Sequence, residues 1–425
     1  MGFITYGMRR KRYVAGVSVG IMKNVLSQYF ADKNYALLYG QNAFRGAAFL
    51  TMGLFIAGWL YELGVGLHWI VLYQAANFTL MGLLSPLGAY MANRYGLTKT
   101  FALSSIAYFF SLLFLSYAHD SVLFILLGLL FSGLANGLSN PPDMVMQAVY
   151  VQNENRGRVF SIVNYISTFM TFVSLLVSGW LADSFGLIGI SVMCTLFWVG
   201  SIVCIYHMDD RLIGSGVVDI KKCFSDVLAP ENRNLLGLSF GFQFLVISSF
   251  TFVPILLYIA TDSFQGVSAI AAFAILVQAV IVILHGIWVD KTPTNAPLRM
   301  AISMHSLGLI IYAFFASGKL SFLFADSLQR TGLLLFFGTL FPRVHKTLAD
   351  NNIPVLQFGA VWHMGICFWE LITLSLMALA IYMVGEPALK YCMLVCAFGS
   401  FFSYYFCHRL SDQAATDTRG ASGQV

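Results

Sequence analysis

The sequence predicts an all-α, polytopic membrane protein of about twelve transmembrane helices arranged as two six-helix halves. Three observations predict it. Of 425 residues, 58% are hydrophobic and only 10% are charged, where an ordinary soluble domain carries about a quarter charged residues. The charged residues gather in short clusters between apolar runs of roughly 20 residues, the length a helix needs to cross about 30 Å of hydrocarbon while satisfying its own backbone hydrogen bonds. A mixed-charge stretch from His207 to Asn234 then divides these runs six and six.

Taken in order, residues 1–42 form a basic segment containing Arg9, Arg10, Lys11 and Arg12, expected on the cytoplasmic side. No secretory signal pattern follows it, and Tyr6 stands where a myristoylation motif after Gly2 needs Ser or Thr. The first half, 43–207, holds spans at 45–64, 68–92, 99–118, 121–147, 158–181 and 187–207. The linker, 208–234, carries Asp209, Asp210, Asp219, Asp226 and Glu231 among basic residues and reads as a solvated connector. The second half, 235–408, holds spans at 235–261, 267–289, 298–317, 320–342, 355–384 and 387–407. A short polar tail, 409–425, is expected to be disordered.

Twelve crossings leave both ends on one face, and Lys and Arg should concentrate on the cytoplasmic side. With the termini inside, that face receives the amino-terminal basic cluster with Lys23, Lys33 and Arg45. It also receives Arg94, Lys99, Arg156, Arg158, Arg211, Lys221, Lys222, Arg233, Lys291, Arg299, Arg343, Lys346, Arg409 and Arg419. Only Lys319 and Lys390 fall outside, and Arg330 lies within a span. Adding or removing one span would scramble this alternation.

Several function classes are excluded or disfavoured. The net charge of +5 sits in loops beside apolar runs, which suits lipid headgroups and argues against nucleic acid. The seven cysteines lack CxxC or zinc-ligand spacing, so no metal or other cofactor is expected. No GxxxxGK[ST] loop is present to house an ATP motor, and no HExxH or serine-nucleophile motif suggests an intramembrane enzyme.

A repeated loop lies at matching places in the two halves. After the eighth span the chain reads Gly286-Ile-Trp-Val-Asp290-Lys291-Thr-Pro with Arg299 following, and after the second it reads Ala89-Tyr-Met-Ala-Asn93-Arg94-Tyr-Gly96-Leu-Thr-Lys99. This resembles the glycine, acid and base loop motif of the major facilitator superfamily. The first copy departs from it, with Ala for the usual glycine and Asn93 for the usual aspartate. Glu154-Asn-Arg156-Gly157-Arg158 and Gly179-Trp-Leu-Ala-Asp183-Ser-Phe-Gly186 fit the same family, so the resemblance covers nearly the whole chain. It implies two six-helix bundles around a central cavity and a conformational clamp at the loop acid. Asp290 retains that acid. Asn93 cannot form an ion pair, so the first clamp is weaker or borrows Asp143; the plainer alternative is that these loop charges only set topology.

Ionisable residues inside spans are costly and therefore mark candidate sites. Arg330 lies eleven positions beyond Lys319, which puts it roughly 16 Å deep. Asp326 is one turn away and Glu370 lies near the middle of the eleventh span, so either could neutralise it. Two readings stay open: Arg330 holds an anionic group of the solute while Glu370 or Asp326 exchanges a proton, or the charges form a static buried pair. His363, Cys367 and Glu370 share one helix stripe, so His363 is either a proton relay or a packed histidine. Gln74, Asn77, Asn136 and Gln243 are candidate substrate contacts, with interhelical hydrogen bonding as the alternative. Pro141 and Pro142 should bend the fourth span, as a hinge or as a fixed kink.

The expected function is a secondary transporter of a small organic solute in the plasma membrane, the inner membrane in a Gram-negative bacterium. It is expected to act as a monomer among membrane lipids, with protons as the coupling ion and an organic anion suited to Arg330. A non-transporting receptor or scaffold of the same fold is the alternative.

Overall fold

The computed structural model describes residues 33–149, 156–208, 218–227, 229, 233–291, 295–315, 318–350 and 354–407. Every regular element among them is helical: α1 (Lys33–Glu62), α2 (Leu67–Tyr95), α3 (Leu97–Ser116), α4 (Val122–Val149), α5 (Arg156–Tyr206), the linker helix α6 (Ile220–Val227), and α7 (Arg233–Ile247). A π turn over Ser248–Phe252 joins α7 to α8 (Val253–Thr261), and α9 (Phe264–Lys291), α10 (Ala296–Phe314), α11 (Lys319–Asp350), α12 (Val355–Val384) and α13 (Ala388–Gly399) follow. Eleven stretches are long and apolar enough to cross a membrane. One of them, Tyr165–Tyr206, has 42 residues, about 63 Å of helix and twice the hydrocarbon thickness. Gly186 breaks it with φ 62° and ψ −154°, a conformation that glycine adopts without strain. Two crossings therefore lie in α5, which makes twelve, and residue 407 returns to the face from which residue 33 starts.

That face also carries the linker and is called here the linker face; the opposite one is the distal face. The first candidate span covers Ala36–Glu62 and so starts nine residues before the boundary the sequence suggests. Two of the polar residues that hide this start have partners inside the bundle: the Asn42 amide donates to the Leu38 carbonyl at 3.0 Å, and Arg45 has those described below. Several hydroxyls within the spans bond to carbonyls of their own helix, as Thr79 does to Ala75 and Ser85 to Met81, which adds polarity while keeping those donors paired.

The two halves meet along α5 against α9 and α2 against α12. Close approach there depends on small residues. A Cβ on Gly82 would lie 2.4 Å from the Cys367 Cβ, and one on Gly179 would overlap Ser268. One apolar core crosses the distal part of the seam through Phe55, Ile70, Phe252, Phe264 and Ile381. Another closes the linker face, where Leu38, Ala89, Phe101 and Val145 of the first half meet Leu356 and Ala360 of α12. The connector reading of 208–234 is incomplete, because Val218 just before α6 and Cys223 within it are buried in that second core and Asp226 accepts a hydrogen bond from Gln357 of α12 at 2.7 Å. Helix α4 runs unbroken through Pro141 and Pro142, with Pro141 seated against Gly359.

Candidate functional site

Arg330 and Asp326 come from the middle of α11, one turn apart. The guanidinium Nε donates to Asp326 Oδ2 at 2.6 Å, and the Tyr312 hydroxyl donates to Asp326 Oδ1 at 3.1 Å. The question of which acid neutralises Arg330 is thus answered by Asp326, because an i, i+4 partner needs no second helix to bring it into reach. Asp326 is fully buried and Arg330 13% exposed. Nη2 of Arg330 is buried and has no partner among the described residues.

Glu370, on α12, is fully buried. Its polar neighbour among the described residues is the Cys367 thiol, one turn away and packed on Gly82 of the first half. Glu370 thus stands beside the seam between halves, and no cation pairs with it among the described residues. His363, on the same stripe, is anchored through Nδ1 to the Gly359 carbonyl at 2.7 Å.

The polar residues predicted to contact substrate separate into two groups. Gln74 of α2 reaches across the seam to the Phe250 carbonyl in the π turn, Nε2 to O at 3.5 Å. A π turn displaces a backbone carbonyl from the helical ladder and commonly marks a functional segment. Asn77, one turn along α2, has a buried Oδ1 with no partner among the described residues, and Gln243 donates to Thr373 within the second half at 3.0 Å while its own Oε1 has none among them. Of the three, Gln74 is the one bonded between the halves. Asn136 is bonded within the first: its Oδ1 accepts from the Tyr108 hydroxyl, and that ring stacks on Trp198 at 4.3 Å. Its side chain is spent tying α3 to α4 inside the first bundle.

The loop motifs are described unevenly. Gly96, at φ 97°, is the single residue between α2 and α3, which explains the glycine. Arg94 bonds to the Tyr90 hydroxyl and stacks on Tyr95, while Lys99 is exposed and Asn93 half-buried. In the second copy, helix α9 extends through Gly286, Asp290 and Lys291, but those side chains lie outside the described residues. Asp143, from which the first clamp could borrow, has a partner on α1. It pairs with Arg45 of α1, Nη1 to Oδ2 at 2.6 Å, and Asn140 accepts from Arg45 Nη2 at 3.1 Å. Arg45 is thus no flanking topology charge but a largely buried, paired cation. The linking of α1 to α4 by this pair is invisible in sequence because the partners stand almost a hundred positions apart.

Among the described residues no cluster of His, Cys, Asp and Glu could hold a metal ion. The sequence pattern of the Major Facilitator Superfamily matches residues 37–350, most of the chain. The chain belongs to that superfamily. Among curated proteins none matches this facilitator in sequence. Its fold is similar to a bacterial homologue of the human drug peptide transporters PepT1 and PepT2, with a TM-score of 0.67 and 11% identity over 90% of this chain and 99% of that one. It is similar also to a bacterial homologue of the iron transporter ferroportin in an outward-facing state, with a TM-score of 0.61 and 17% identity over 89% and 100% of the two chains. The human organic anion transporter MFSD10 follows at 0.57 and 13%, over 87% and 98%. At such identities the likeness establishes the fold. Family and fold together make this facilitator a multi-pass membrane transporter and not an enzyme.

Proposed function

We propose that this facilitator moves a small organic solute by alternating access and couples that movement to protons at Glu370. The observation that carries the reading is the Glu370 carboxyl, fully buried beside the seam with only the Cys367 thiol for a polar neighbour and no paired cation among the described residues. A charged, unpaired carboxylate in a low dielectric costs several kcal/mol. The side chain is therefore held most cheaply as the neutral acid while the seam is shut, and it releases its proton when the seam opens to water. In this reading Arg330 offers Nη2 to an anionic group of the solute, while Gln74, Asn77 and Gln243 supply neutral polar contacts between the halves. His363, one turn beyond Cys367, is the relay toward the linker face. The distribution of charge supports a cytoplasmic linker face: it carries Arg94, Lys99, Lys221, Lys222, Arg233 and Arg299, against Lys319 and Lys390 on the distal side.

A flux screen of organic anions with the purified protein in proteoliposomes, at two imposed pH gradients, tests the reading. Solute accumulation that grows with the gradient is expected. Solute binding without any flux would favour a receptor or scaffold and sink the transport claim.

A further inference from the structure

On the distal face, Thr261, Asp262 and Ser263 turn the chain from α8 into α9, with Asp262 in the left-handed region at φ 49°. The N-terminus of α9 has its own cap, since Ser263 Oγ accepts from the Gly266 amide at 2.9 Å. A helix needs partners for further amides in its first turn. Two of them point to the other half of the molecule: the Phe264 amide donates to Asp183 Oδ1 at 3.0 Å and the Gln265 amide to Asp183 Oδ2 at 3.1 Å. Asp183 stands in α5 just before the Gly186 break, so one carboxylate of the first half takes two amides of the second. The negative charge also faces the positive end of the α9 dipole.

The contact sits on a tightly shut part of the seam. Gly58 receives the Tyr258 ring, Gly179 receives Ser268, and Phe55 meets Phe264 edge-on at 5.6 Å. Beside it the Tyr258 ring also meets Tyr61 of the first half edge-on, at 6.1 Å. Unlike the apolar contacts beneath it, Asp183 is exposed, so water can take the place of its two bonds when the halves part.

We propose that Asp183 is a gating residue of the transport cycle: its carboxylate holds the distal seam shut by capping α9 across the two halves, and it must release both amides before that face opens. The proposal rests on the alternating-access reading, because a latch matters only if the seam opens.

Hydrogen–deuterium exchange of the full chain in nanodiscs, without added solute, tests it. Asp183→Ala should raise the ratio of open to closed distal seam roughly five- to tenfold, the size of a lost helix cap. Exchange should quicken by that factor on both sides of the seam, in 53–66 and in 253–268, while 89–101 at the linker face stays as in the parent. Asp183→Asn, which keeps one acceptor oxygen, should give a smaller rise. Ser263→Ala, which removes only the helix's own cap, should quicken 263–268 alone. A rise in Asp183→Ala confined to 263–268, a rise shared by 89–101, or no rise would overturn the latch. Because no flux is measured, a seam that opens in a protein moving no solute would sink the transport reading and leave the latch standing.

Discussion

Replacing Arg330 with Met strands Asp326. The carboxylate is fully buried and has two donors, Arg330 Nε at 2.6 Å and the Tyr312 hydroxyl at 3.1 Å, so the substitution leaves one neutral donor where a guanidinium stood. Removing one member of a buried pair costs about 3–5 kcal/mol, and neutralising an ordinary carboxyl by protonation at pH 7 costs about 4 kcal/mol, which sets a ceiling of the same size. Asp326→Asn strands less, because Arg330 is 13% exposed and its head can turn toward water; about 1–3 kcal/mol is expected. Combining Arg330→Met with Asp326→Asn removes both charges, so the double variant should be more stable than the sum of the singles by about 2–4 kcal/mol. Urea unfolding in mixed micelles, followed by tryptophan fluorescence, measures the cycle. Singles that add to the double within about 0.5 kcal/mol would show that the pair does not neutralise a buried charge.

Two further outcomes follow from the packing. A methyl group on Gly82 meets the Cys367 Cβ at 2.4 Å, so Gly82→Ala should part α2 from α12 at a cost of about 1–3 kcal/mol. Adding Cys367→Gly should recover most of it in the same unfolding assay; no recovery would place the clash elsewhere. In the linker helix, burial first and the Asp226 and Asp219 carboxylates next push the Cys223 thiol up to about 11. Since the thiolate is the reactive form, maleimide labelling of Cys223 at pH 7 should be slow and should rise with pH toward 11. Asp226→Ala, which loses the bond to Gln357, should speed labelling at pH 7 at least about tenfold by freeing the helix. An unchanged rate would mean that this bond does not dock it.

The number of crossings is legible in the sequence because hydrocarbon thickness is a local rule: each apolar run is tested alone, and the Lys and Arg pattern checks the parity. What fails are assignments that depend on a distant partner. Arg45 reads as a loop charge until Asp143 is brought to it by α4. Asn136 reads as a cavity amide until Tyr108 occupies it. Asp183 is visible as part of a family pattern, yet its role depends on two backbone amides some eighty residues later, and backbone donors carry no sequence signature. Arg330, Asp326 and Glu370 are found by their cost in the membrane, while the choice of acid for the arginine is left open: Asp326 takes it because both share one helix, and Glu370 is left beside the seam. The linker illustrates a local signal overlooked, since Val218 and Cys223 stand among charged residues in a segment whose mixed charge suggests solvation throughout.

Proton coupling at Glu370 is tested most directly by flux in proteoliposomes with and without an imposed proton gradient, comparing the parent protein with Glu370→Gln, which keeps the side chain's shape and removes its exchangeable acid. The gradient should accelerate flux in the parent and leave Glu370→Gln unaffected, while solute exchange at equal pH persists in both. Equal acceleration in the two proteins would contradict the account.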